Sequence, residues 1–120
     1  MTSLLPFVLG AADFTVGSAT ARSGQKAMGY IAVPAGVDAA ASIPVIVVNG
    51  AQPGPVLALV AGSHGTEYAS ILALQNLAQA ADPAELSGTL IIVPLINVPS
   101  FSQKVPHLNP VDGRILSRCP

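Results

Sequence analysis

The chain has 120 residues, enough for one domain or part of one. Hydrophobic residues make up 51% and charged residues only 9%, against about 25% charged in a typical soluble domain, so few side chains are committed to water. A net charge of -1 leaves no basic footprint for nucleic acid or an anionic membrane, and no apolar run reaches the about 18 residues of a spanning helix, despite a mean hydropathy of +0.60.

Low charge at this length fits a sheet covered on both faces, or a surface covered by further chain or a partner. The single cysteine, Cys119, excludes an internal disulfide and fits a reducing cytoplasm, the location expected here. Met1 to Gly10 carries an apolar patch (Leu4, Leu5, Phe7, Val8, Leu9) without the basic start of a secretory signal, and Pro6 interrupts it. It reads as mature chain.

Taken in order, Phe14 to Val16 is a short strand. Gly24 and Gln25 mark a turn, and Lys26 to Val33 is a strand stopped by Pro34-Ala-Gly36. A loop of small and polar residues runs through Ser42. Ile43 to Val48 is β-branched and continuous, so it reads as a strand. Asn49-Gly50 is a turn signal extended by Gln52-Pro53-Gly54, and Pro55 to Ala61 is another apolar run of strand length. Two strands joined by a Gly/Pro turn predict an antiparallel hairpin.

The period then changes. From Thr66 to Ala80 the apolar residues Tyr68, Ile71, Leu72, Leu74, Leu77 and Ala78 fall near helical spacing, with no Gly or Pro between. Asp82-Pro83-Ala84-Glu85 is a helix-start signature that opens one short turn before Gly88. Thr89 to Ile96 is the most buried-looking strand, its ladder ending near Pro94. From Asn97 to Pro120 no periodic element is visible, although Asp112-Gly113 marks a turn. Strand, helix, strand from Pro55 to Ile96 is a βαβ unit with parallel strands. The earlier strands extend it antiparallel, giving a mixed α/β sheet.

Ligands of open α/β sheets bind outside the carboxyl ends of the parallel strands. Gly62 to Glu67 reaches that edge after one strand, and the loop from Asn97 reaches it after the next. Topology thus brings His64, Glu67 and that loop together. Imidazole and carboxylate are both good zinc ligands, and Gly62 and Gly65 permit a tight turn close to an ion. Spacing alone favours the plainer reading: Glu67 in the first helical turn as a charge suited to the positive helix end, and His64 as a turn residue.

Gly62-Ser-His-Gly-Thr-Glu-Tyr68 resembles the zinc motif of the succinylglutamate desuccinylase/aspartoacylase family, metallohydrolases related to zinc carboxypeptidases. The resemblance continues in order over roughly residues 55 to 120. Asp82 to Pro94 is similar to the stretch before the family's next strand. Asn97-Val-Pro99 resembles its Asn-x-Pro turn, and Pro110 to Pro120 its Asp-Gly-x-Asn-Leu-Asn-Arg-x-Phe-Pro segment. The resemblance implies the N-terminal part of a zinc carboxypeptidase-like (phosphorylase/hydrolase-like) fold. Residues 1–50 would form a β-rich segment, 51–96 the zinc-motif βαβ unit, and 97–120 a substrate-binding loop.

It further implies Zn2+ as cofactor, held by His64 and Glu67. Arg118 would bind the carboxylate of a small N-acyl amino acid, with Ser117 and His107 at two further substrate-binding positions. The sequence departs from the family pattern at these last positions. Ser117 stands where the family has Asn, Ile115 at a further Asn, His107 at an upstream Arg, and the Phe before Pro120 is missing. The family's third zinc ligand and catalytic Glu correspond to positions beyond residue 120. His107 is the one other His in the chain and would substitute as a ligand only if its loop folds inward. Arg114 reads as a solvated loop residue, Cys119 as an ordinary thiol and Tyr68 as a helix-packing aromatic.

The implied activity is hydrolysis of an N-acyl amino acid amide. The Gly-Thr-Glu-Tyr and Arg-Cys-Pro details resemble the family's bacterial deacetylases of ectoine-degradation type. The alternatives are a catalytically inactive truncated homologue and a carboxypeptidase-type metallopeptidase. An incomplete apolar sheet edge also leads us to expect self-association into a homo-oligomer.

Overall fold

The computed structural model describes residues 12–116. Its elements run β1 (Phe14–Val16), β2 (Ala19–Ala21), β3 (Gln25–Val33), β4 (Ala41–Asn49), β5 (Gln52–Val60), α1 (Tyr68–Ala80), β6 (Ser87–Val93) and α2 (Val98–Gln103). β3, β4, β6 and β5, in that spatial order, form one sheet. β3 with β4 and β4 with β6 are antiparallel, whereas β5 with β6 is parallel. The mixed sheet and its βαβ unit are those expected. No helix among the described residues is long and apolar enough to cross a membrane.

The hairpin expected between the fourth and fifth strands does not form, because β6 lies between them. The Asn49–Gln52 corner hooks around the segment leading into β6: Gly50 N–H donates to Gly88 O at 2.8 Å and Ala51 N–H to Pro83 O at 2.8 Å. The apolar run Leu90–Val93 gains most from an interior place covered on both faces, and it takes that place. The hairpin that does form joins β3 to β4.

Alternation along β4 divides the core. Val45 and Val47 face Ala19, Ala21 and Val93, where β1 and β2 cover the sheet. Ile46 and Val48 face Ile92 and Ala78 of α1. Val47, Val48 and Ile92 are completely buried, each contributing about 1.5–3 kcal/mol. Strand β2, Ala-Thr-Ala, has too little apolar character to be read from sequence. Asn49, expected as a turn residue, ends β4 with its side chain inward. Its Nδ2 donates to Ala12 O (2.9 Å) and Ala21 O (3.0 Å), and its Oδ1 accepts from Thr89 Oγ1 (3.0 Å).

Helix α1 starts two residues later than its sequence pattern implied, leaving Glu67 at the N-cap position rather than in the first turn. Its last turn has no basic residue of its own. Lys26 of β3 reaches across instead, donating from Nζ to Ala78 O (2.8 Å) and Gln79 O (2.9 Å), where a cation complements the helix dipole. The short turn at Asp82 is present, with Ala84 N–H donating to Asp82 Oδ1 at 2.9 Å.

β5 is an edge strand without charge, and Val56, Leu57 and Val60 on it are each more than half exposed. Ala61 N–H donates to Val93 O, so by alternation the amides of Val56, Ala58 and Val60 point to the free edge. Two outcomes are expected. Lys26→Met should lower the unfolding free energy by about 1 kcal/mol, read as a reduced urea midpoint at unchanged slope. The isolated chain should associate with rising concentration in light scattering, and Val56→Lys should suppress that association. A monodisperse unsubstituted chain would count against the edge as the cause.

Candidate metal centre

The strands β5 and β6 stay zipped beyond their ends. Ile96 N–H donates to Ala61 O at 3.0 Å and Asn97 N–H to Gly62 O at 3.1 Å. This lays the loop after β5 beside the entry to α2, at the carboxyl edge of the parallel pair. Gly62 turns there with φ +68°, and a Cβ on it would meet Leu95 Cδ1 at 2.8 Å. Gly65 lies against α2 so closely that a Cβ would stand 2.1 Å from Phe101 N. A larger residue at Gly65 would have to move the α2 backbone, and one at Gly62 would displace the Leu95 side chain and strain a left-handed backbone.

Between these glycines the loop presents His64. Its Nδ1 lies 2.8 Å from Glu67 Oε1, and since an ionised carboxylate only accepts, the ring nitrogen donates. The side chains are 23% and 53% exposed, so the pair is open to a ligand from solvent. Glu67 N–H closes the turn on His64 O at 3.1 Å. Glu67 makes no side-chain cap to α1; the carboxylate that a plain helix start would turn toward the backbone is turned to His64.

The segment after β6, in which the sequence showed no periodic element, contains α2. Asn97 is its N-cap, accepting from Ser100 N–H at 3.3 Å, and a proline occupies its first turn. Lys104, with φ 56°, ends the helix, and His107 has φ 67°. These two left-handed residues turn the chain back. The loop does fold inward: the His107 ring stands edge-on to His64, centroids 4.9 Å apart at 82°. Tyr68 packs edge-on against Phe101 at 6.0 Å, the packing role expected. Arg114 is exposed within a turn, its N–H donating to Asp112 Oδ1 and its carbonyl accepting from Asn109. Ser117, Arg118 and Cys119 lie outside the described residues.

The donor set suits a zinc ion in part. Two donors about 2.1 Å from a tetrahedral ion stand about 3.4 Å apart, so the 2.8 Å pair needs to open by only about half an ångström for a cation to replace the shared hydrogen. Among the described residues, no three His, Cys, Asp or Glu side chains are placed to hold a metal. His107 thus stands beside the pair without joining it as a third ligand. An apolar recess beside α1, lined by Met28, Tyr30, Ile46, Ile71, Gln75 and Phe101, contains neither His64 nor Glu67. Its ammonium group, on Lys26, is already used on α1, so the chemistry belongs to the polar cluster.

Residues 53–118, more than half of the chain, match the family model described as the succinylglutamate desuccinylase/aspartoacylase catalytic domain. The chain belongs to this family. The matched segment contains His64, Glu67 and His107 and extends through Arg118. The chain is 36% identical over 94 residues to an N-alpha-acetyl-L-2,4-diaminobutyric acid deacetylase of Halomonas elongata, a match spanning 75% of this chain and 27% of that enzyme. A succinylglutamate desuccinylase/aspartoacylase structure from Rhodobacter sphaeroides superposes with a TM-score of 0.68 at 35% identity, over 78% of this chain and 29% of that one. The product-bound ectoine utilisation protein of Ruegeria pomeroyi gives 0.62 at 28% identity, over 78% and 28%. The sheet is therefore the desuccinylase/aspartoacylase, zinc carboxypeptidase-like fold, and the chain spans somewhat more than a quarter of the length of these relatives.

Gly65→Ala should destabilise the chain by about 3 kcal/mol, because the obstructing atoms are backbone. Gly36→Ala, where nothing lies within 4 Å, should stay within about 0.5 kcal/mol. Chemical denaturation of the two variants checks the contrast.

Proposed function

We propose that this chain carries part of a zinc-dependent hydrolase that cleaves the amide bond of an N-acyl amino acid or a similar small acid. The observation that carries the reading is the His64–Glu67 pair, 2.8 Å apart at the carboxyl edge of a parallel strand pair and inside the family-matched segment. His64 and Glu67 hold the ion, with further donors from beyond the described residues. The chemistry a zinc ion supplies when bound there is polarisation of the amide carbonyl and acidification of water.

The other roles fall to residues later in the chain. Arg118 grips the substrate carboxylate, a task suited to the planar fork of a guanidinium. Ser117 and His107 serve the same substrate. His107 is well situated, since its ring already stands against His64. A carboxylate outside residues 1–120 moves the proton to the leaving amine. Among acyl groups, acetyl is favoured by the likeness to a diaminobutyric acid deacetylase. We assign the protein to the cytoplasm on its single cysteine; cell fractionation tests that assignment.

Zinc titration of the folded chain tests the metal assignment: His64→Ala and Glu67→Gln should each weaken binding at least about tenfold. A folded chain that holds no zinc by elemental analysis would sink it. The reading also requires the gene to continue in frame past codon 120 with a further His and Glu. The product of that continued gene should release acetate from N-acetyl-2,4-diaminobutyrate and leave dipeptides intact. Cleavage of peptides alone would favour the carboxypeptidase-type reading, and a stop directly after codon 120 the inactive homologue.

A further inference from the structure

Ser100 is completely buried, and its hydroxyl is used twice. It accepts from Gly65 N–H at 3.0 Å and donates to Val105 O at 2.6 Å. Gly65 directly follows His64, and Val105 lies two residues before His107. One oxygen therefore joins the loop carrying one imidazole to the loop carrying the other. The Ser100 carbonyl strengthens the second joint by accepting from Val105 N–H at 3.0 Å.

The residue before His64 is held from the same short helix. Asn97, only 2% exposed, donates from Nδ2 to Ser63 O at 3.0 Å. His64 is thus gripped on both sides, at Ser63 by Asn97 and at Gly65 by Ser100. On the far side of the site, His107 is held at φ 67°, a conformation that a residue with a side chain adopts only where the surroundings enforce it. A hydrogen bond from Leu108 N–H to Pro106 O at 2.9 Å closes the turn around it, and the Ser100–Val105 pair anchors the start of that turn.

We propose that Ser100 is a positioning residue that sets the His64 ring against the His107 ring, coupling the metal-binding loop to the substrate-facing loop. It touches neither metal nor substrate and acts through Gly65 and Val105. A buried serine serving stability alone would make the same hydrogen bonds, but its loss would leave the geometry of the two rings intact in the folded protein. The significance for a metal site rests on the function proposed above; the ring geometry does not.

The test compares Ser100→Ala and Ser100→Cys with Thr89→Ala in the metal-free chain. Thr89 offers a matched control: it too is a buried hydroxyl with a hydrogen bond, near the opposite end of β6. Proton NMR reads the ring resonances of His64 and His107, which an edge-to-face contact shifts. Ser100→Ala should move both resonances to free-histidine values while the fold persists. Ser100→Cys should do so partly, and it carries the test if the alanine variant does not fold. Thr89→Ala should lose comparable stability and keep both resonances. Unchanged rings in folded Ser100 variants would overturn the proposal, as would an equal disturbance from Thr89→Ala. In a second arm, Ser100→Ala should weaken zinc binding about tenfold and Thr89→Ala should leave it unchanged. If the unsubstituted chain binds no zinc, the metal reading fails, and the ring resonances still decide the role of Ser100.

Discussion

The parallel pairing of β5 with β6 is the constraint on which the rest depends. Antiparallel neighbours can be closed by a tight turn, but parallel ones need a crossover that leaves one edge of the sheet and re-enters at the opposite edge. Between Val60 and Ser87 the chain must therefore supply a loop, the helix α1 and a return turn. The loop necessarily starts at the carboxyl edge of the sheet, and the chain leaving β6 starts at that same edge. His64, Glu67 and the entry to α2 meet there because no other connection closes a parallel pair. The hydrogen bonds from Ile96 to Ala61 and from Asn97 to Gly62 prolong the pairing into the site itself.

Two buried asparagines finish the two ends of this sheet. Asn49 ties Ala12, Ala21 and Thr89 together at one end; Asn97 ties Ser63 to the first turn of α2 at the other. A buried amide left unpaired costs about 1–3 kcal/mol, so each is tolerated only with its partners in place. Among the described residues no buried side-chain polar atom lacks one. At the Asn49 end the result is a closed corner. At the Asn97 end the same physics holds a histidine outward, because Asn97 and Ser100 take up the backbone on either side of His64 and leave its ring free for Glu67.

The site and the apolar edge are both open. His64 and Glu67 share one hydrogen bond and face solvent, while β5 exposes Val56, Leu57 and Val60. The relatives are more than three times as long as this chain's share of them. An uncharged edge strand can be satisfied by pairing or covering, and a His–Glu pair open to solvent leaves room for added donors.

By itself the sequence determined what local chemistry decides. Continuous β-branched runs placed β4 and β6, and an Ala- and Leu-rich stretch without Gly or Pro placed α1. Change of period marked the βαβ unit, which located His64 and Glu67 at the sheet edge before any contact was known. Tertiary structure decided what depends on distant partners. β6 displaced the expected hairpin partner of β4, since strand pairing follows burial on both faces rather than nearness in the chain. β2 and α2 leave no pattern in the sequence because three and six residues are too few for a period; one is held by the sheet, and the other by its cap and by Gly65. The approach of His107 to His64 needed left-handed backbone at Lys104 and His107, which no residue type there announces. Ser100 has no sequence signal at all, because a hydroxyl becomes a joint between two loops only when folding buries it between them.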